Sequence, residues 1–154
     1  EAVRRMRATA WKLTEGAWRR GHRIYPHAQL IDLLPEGGIG PHRDNFKLFG
    51  EFTAGLNLLS SAVLRFRPCT ESDETPEVVD VLLRPRTLYI MHDVMRLSYT
   101  HEVLDAAATR EVWPRTGDEA EGGGGDGGCV RGRRLSVIVR DMGQAGYIGS
   151  DGLW

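Results

Sequence analysis

The spacing of apolar and polar positions changes along the chain. Near the start, Val3, Met6, Ala10, Leu13 and Ala17 recur at three- and four-residue steps, which predicts an amphipathic helix with an arginine-rich outer face. From residue 24 the pattern becomes that of short strands. "AQLIDLLP" (28–35) reads as a buried strand, ended by Pro35 and the "EGGIGP" turn. "AGLNLLS" and "AVLRFRP" (54–68) read as a hairpin, and "CTESDETPE" (69–77) as a polar loop. "VVDVLLRP", "TLYIMHD" and "RLSYTHEVL" (78–104) are three β-rich runs split by proline and charged turns, the pattern of a meander. Residues 106–132 are low in complexity and rich in glycine, so a largely disordered loop is expected there. "RRLSVIVRD" (133–141) is the most strand-like segment. A helix followed by a series of short strands predicts a mainly β fold with flanking helices, built of two packed sheets.

Composition narrows this picture only a little. The chain has 154 residues, 41% hydrophobic and 27% charged, which is ordinary for one globular domain. Its formal net charge of -1 gives no domain-wide basic footprint for nucleic acid. Arg4, Arg5, Arg7, Lys12, Arg19, Arg20 and Arg23 bias residues 1–23 locally, and they read as a solvated helix face. Cys69 and Cys129 sit in loop-like sequence without paired spacing, which argues against a disulfide scaffold or a zinc site and fits a reducing interior. No stretch is apolar and long enough to span a membrane. The sequence begins at Glu1 rather than Met, so the natural start is expected to lie upstream, together with any targeting peptide.

The candidate chemistry begins in "GIGPHRDNFKLFG" (38–50). In an extended segment side chains alternate faces, so His42 and Asp44 project together and Arg43 points away. Two such ligands occupy neighbouring corners of a coordination sphere, and a third must come from elsewhere. His101 in "SYTHEVL" is the candidate, although it also reads as a satisfied core histidine. Two histidines and one carboxylate on one side of a metal form the facial arrangement of non-haem Fe(II) oxygenases. His22, His27 and His92 read as surface or supporting residues. On the last strand Arg134 and Arg140 are separated by an even number of positions and share a face with Ser136 and Ile138. Their Cα atoms would be ~20 Å apart at ~3.3 Å per residue, a span two inward-leaning arginines narrow to about the length of a small diacid. An arginine on a buried face needs a paired anion, and a carboxylate of a ligand or of Asp44 or Asp141 would serve. Arg131 and Arg133 fall on the other parity and read as solvent-facing.

Taken in order, His42-x-Asp44, His101 and Arg134-x5-Arg140 resemble the AlkB branch of the Fe(II)/2-oxoglutarate dioxygenases. The finer text, "GxIxPHxDxxKxxG", "AGLNLLS", "LLRPxTLYIM" and "HEVL…RGRRLSVIVR", is similar to the mitochondrial AlkB homologue seven type, over about residues 28–141. The resemblance implies a double-stranded β-helix, or jelly roll, with residues 1–27 as a helical flank and 142–154 as a tail. It implies that His42, Asp44 and His101 hold Fe(II) and are the catalytic centre. It further implies that 2-oxoglutarate binds the metal, with its far carboxylate on Arg134 and the Tyr89 hydroxyl. Arg140 would contact the other carboxylate or orient Asp44. Parity places Tyr89 with Thr87 and Met91, away from Leu88 and Ile90, and without the family it reads as a core tyrosine. The implied reaction consumes O2, releases succinate and carbon dioxide, and oxidises a C–H bond.

The chain also departs from that family. The nucleic-acid dealkylases carry an Asn-x-Tyr pair that helps hold 2-oxoglutarate, and the matching positions here are Ile31 and Leu33 around Asp32. Only 41 residues precede His42, which leaves little room for a nucleotide lid. Trp11 and Trp18, seven apart, suit core packing better than a base clamp, so duplex DNA repair is not expected. The expected substrate is a protein side chain or an accessible, N-alkylated single-stranded RNA base, the expected state a monomer, and the expected compartment the mitochondrion. Two other readings stand beside this one: a catalytically idle jelly roll serving as a metal-dependent scaffold in a protein complex, and a cupin-like binding protein with no need of Arg134.

Overall fold

Eight strands pair into two antiparallel four-stranded sheets in the computed structural model, which describes residues 1–13, 25–69, 77–113 and 130–142. In chain order they are β1 (Gln29–Leu33), β2 (Ile39–His42), β3 (Phe49–Leu58), β4 (Ala62–Pro68), β5 (Val79–Leu83), β6 (Leu88–His92), β7 (Tyr99–Val103) and β8 (Arg134–Met142). The helices are α1 (Ala2–Leu13), α2 (Asp93–Leu97) and α3 (Ala106–Val112). One sheet has the order β1-β8-β3-β6 and the other β2-β7-β4-β5. Pairing is nested: β1 with β8, β2 with β7, β3 with β6 and β4 with β5. The chain thus lies as one long hairpin rolled so that successive pairs fall in alternate sheets. This is a mainly β, double-sheet arrangement of the jelly-roll kind.

Nesting corrects the local pairings that the sequence suggests. β3 and β4 are not a hairpin; a short turn, with Leu59 at φ 68, carries the chain from one sheet to the other. β5, β6 and β7 are not a meander, because β6 joins β3 while β5 and β7 flank β4. Two-residue alternation reports which face a residue occupies but not which strand lies beside it. The segment at 28–35 is a strand, yet β1 is a sheet edge and Leu30 is 66% exposed. The expected loop at 106–132 begins as α3, whose N-cap Asp105 accepts a hydrogen bond from the Ala108 amide at 2.9 Å. The three alanines at 106–108 favour helix, and the glycines only follow later. Residues 114–129, most of residues 69–77, and 143–154 lie outside the described residues, as do Cys129, Trp18 and His22.

The two faces of the first sheet have different tasks. Outward side chains of β3 and β8, including Phe52, Ala54 and Val139, pack under Met6 and Ala10 of α1. Arg7 fastens this helix by donating to the carbonyls of Tyr25 and Pro26, the latter at 2.6 Å. Leu13, expected inside, is 69% exposed. The inward faces of both sheets meet over Ala62, Leu64, Phe66, Leu83, Met91 and Val103. No helix among the described residues is long and apolar enough to cross a membrane.

Candidate metal centre

Between the sheets lies a small cavity, partly open to solvent, walled on the apolar side by Ile31, Ile39, Leu64, Met91, Val103 and Ile138. His42, His101, Thr53, Tyr89, Arg134 and Arg140 also face it. His101, Tyr89, Arg134 and Arg140 arrive by strand parity, whereas a register shift between Ile39 and His42 turns both of these toward the cavity. His42 is the last residue of β2 and stands directly opposite His101 on β7, with ring centroids 4.3 Å apart. Asp44 follows the end of β2, and one ligand atom from each of His42, Asp44 and His101 lies within 4.8 Å of the other two. Two imidazoles and one carboxylate are a donor set suited to a divalent iron with open coordination positions.

Protonation suits this use. The His42 Nδ1 atom lies 2.9 Å from the Gly40 carbonyl; donating there leaves Nε2 with its lone pair free toward the cavity. Burial, helped by the neighbouring His42, depresses His101 from 6.5 to about 4, so its ring is neutral near pH 7. Burial alone would raise the Asp44 carboxyl, but Arg140 and the Thr53 hydroxyl more than reverse this and hold it ionised below the usual carboxylate range. Arg140 donates to Asp44 from Nε at 3.1 Å and from Nη2 at 3.3 Å, and to Gln29 at 2.9 Å. Its guanidinium also lies 4.6 Å from the centre of the Phe49 ring. Of the two roles suggested for Arg140, orienting Asp44 is thus the one visible in the geometry.

Arg134 has a different environment. It is 1% exposed and donates to Asn57 Oδ1 at 2.7 Å and Ser136 Oγ at 3.0 Å, while Tyr89 lies in hydrogen-bonding reach. These partners are neutral, and Nη2 is buried with no hydrogen-bond partner among the described residues. A buried guanidinium so placed is poised for an anion. Tyr89 reaches it because Gly55 stands opposite on β3; a Cβ at Gly55 would overlap the tyrosine ring. Burial raises the Tyr89 phenol and Arg134 only partly offsets this, so the hydroxyl stays protonated and can donate.

Several of these supports escape a motif reading. Asn57 is fully buried, and its amide donates to the carbonyls of Ser60, Leu83 and Arg84, so its oxygen is fixed toward Arg134. An asparagine in the middle of an apolar strand is the signal that could have found it. Arg131, expected in solvent, is instead 5% exposed and donates to the Gly37 and Gly132 carbonyls. Arg133 is exposed as expected and pairs with Asp32 at 2.6 Å on the outer face, while Ile31 points into the cavity. His27 and His92 are exposed.

No family model matches the chain. Two curated proteins are similar to it, both named alpha-ketoglutarate-dependent dioxygenase alkB homolog 7, mitochondrial. That of Bos taurus is 32% identical over 136 residues, 88% of this chain and 54% of the relative. That of Mus musculus is 34% identical over 113 residues, 73% of this chain and 44% of the relative. Among solved structures, the capsular polysaccharide assembling protein CapF of Staphylococcus aureus aligns at a TM-score of 0.43 and 12% identity over 77% of this chain and 24% of its own, too loosely to bear on fold or function. The chain spans about half the length of the curated relatives it matches. Both curated relatives carry the name of the AlkB-like type that the motifs of this chain resemble.

Proposed function

We propose that the chain is an Fe(II)- and 2-oxoglutarate-dependent oxygenase in which His42, Asp44 and His101 are the metal ligands. One observation carries this reading: the two histidines of a His–Asp–His cluster line the same cavity as a buried arginine whose hydrogen-bond partners are neutral. A metal site alone is common to many folds. The unpaired Arg134 Nη2 calls in addition for an anionic ligand, and a dicarboxylic acid fits the pair of demands. The names of the two curated relatives agree with this reading.

When bound, iron would activate O2, the oxidant, with the diacid as the two-electron co-reductant that leaves as succinate and carbon dioxide. The protein's own contribution is placement. His101 presents a neutral imidazole opposite His42, and Asp44 is held by Arg140 and Thr53 with Oδ1 the oxygen nearer His42. Arg134 and Tyr89 receive the far carboxylate of the cosubstrate. The apolar wall of Ile39, Leu64, Met91, Val103 and Ile138 keeps water from the reacting atoms. The substrate class is a protein side chain or an accessible N-alkylated RNA base. The mitochondrial relatives support the same compartment here.

Calorimetry with Mn(II) and then 2-oxoglutarate tests the proposal. The diacid should bind only after the metal, and Arg134→Ala should abolish that second step. Ile31 standing where the dealkylases carry a polar residue favours one alternative, an idle scaffold. Turnover of 2-oxoglutarate to succinate with added iron, lost in His42→Ala, separates the two. Equal silence of both proteins, each still able to bind a protein partner, would establish the scaffold.

A further inference from the structure

Asp44 lies beyond the last ladder residue of β2, so sheet hydrogen bonding stops short of it. The segment that carries it is tied instead to α2, the short helix that leads directly into β7 and His101. The tie is reciprocal. Arg96 of α2 donates from Nη1 to the Asp44 carbonyl at 3.3 Å, and Arg43 donates from Nη1 to the Leu97 carbonyl at 3.4 Å. The Phe46 ring contacts both guanidinium groups, 4.9 Å from that of Arg96 and 5.2 Å from that of Arg43. Arg96 is 2% exposed, whereas Phe46 is 39% exposed and covers it from the surface. Burying a guanidinium is costly, and Nε and Nη2 of Arg96 have no hydrogen-bond partner among the described residues. Stability alone gives little reason for an arginine here, since an apolar side chain would pack without that cost.

We infer that Arg96 is a positioning residue for the metal centre: with Arg43 and Phe46 it fixes the segment bearing Asp44 against the helix that precedes His101. This rests on the metal-centre reading above. Groups that orient metal ligands without touching the ion typically alter affinity 10–100-fold. The clasp differs from the Arg140 and Thr53 contacts because its hydrogen bond reaches the Asp44 backbone, although its charge also acts on the Asp44 and Asp141 carboxylates. It sets how far Asp44 stands from His101, while those two contacts fix the orientation of its carboxylate.

The test uses Mn(II) as the probe and the full chain, with affinity from calorimetry and ligand geometry from the Mn(II) electron paramagnetic resonance line shape. Arg96→Met should weaken Mn(II) binding by roughly 10–100-fold and change the line shape, and Arg96→Lys should recover part of both. A melting temperature changed by Arg96→Met, with wild-type affinity and line shape, marks the residue as merely structural and overturns the inference. If Arg96→Met does not fold, Phe46→Leu carries the test on an accessible side chain. It should weaken binding several-fold with an altered spectrum, and wild-type behaviour overturns the inference. A wild-type chain that takes up no Mn(II) sinks the metal-centre reading and the clasp with it. Normal wild-type binding with unaffected variants sinks the clasp alone.

Discussion

The Thr53 hydroxyl donates to Oδ2 of Asp44 at 2.8 Å, from the centre of a strand in the opposite sheet from His42. That contact joins the two sheets at the candidate metal centre. Thr53→Val keeps the shape and removes the donor. Losing a hydrogen bond to a buried carboxylate should cost about 1–3 kcal/mol of stability, measured by urea unfolding, and should weaken Mn(II) binding. Unchanged unfolding midpoints would show that Arg140 alone suffices to hold Asp44.

Arg134 should trade stability for binding. Arg134→Met removes a buried charge that only neutral groups meet. The expected result is a melting temperature at or near that of wild type without ligand, because the desolvation cost disappears along with the hydrogen bonds. The stabilisation that 2-oxoglutarate gives the Mn(II)-loaded protein should vanish, with affinity down roughly 100-fold.

Gly55→Ala is a remote way to disturb the same subsite. The new methyl group would displace the Tyr89 ring. A stability loss of about 1–3 kcal/mol is expected from overpacking, and 2-oxoglutarate should bind more weakly while Mn(II) binds normally. Loss of both affinities together would mean that the two subsites are not separable.

Acid should weaken the metal-free fold in two stages. His101 titrates at about 4 in the folded chain against 6.5 normally, so between these values the unfolded chain binds more protons and stability falls as pH drops. Asp44 is lowered from 3.8, so its contribution is present above that value and is lost on further acidification. Chemical denaturation from pH 7 to 4 should show the first stage, and His101→Gln should flatten it. An equal slope in that variant would assign the effect to another group.

The site was more legible in the sequence than the pairing of strands. Tyr89, Arg134 and Arg140 were placed by face, which on β6 and β8 follows from two-residue alternation, whereas β2 shifts register between Ile39 and His42 and ends before Asp44. Neighbours do not follow from alternation. Nothing local distinguishes "AGLNLLS" and "AVLRFRP" as a hairpin from two strands of different sheets, since both connections are equally short. Arg131 and Arg96 were missed for a related reason. Both lie outside or between strands, where parity gives no direction, and both are buried by contacts with distant carbonyls.

Nested pairing also orders events in time. His42, Asp44 and His101 all precede Arg134 in the chain, but β8 must return between β1 and β3 before the first sheet is whole. Such long-range closure is slow to form and raises contact order. A nascent chain would therefore hold all three candidate metal ligands before Arg134 emerged. Because Arg140, which holds Asp44, also lies on β8, full affinity for metal and affinity for cosubstrate should emerge together, once β8 closes the sheet.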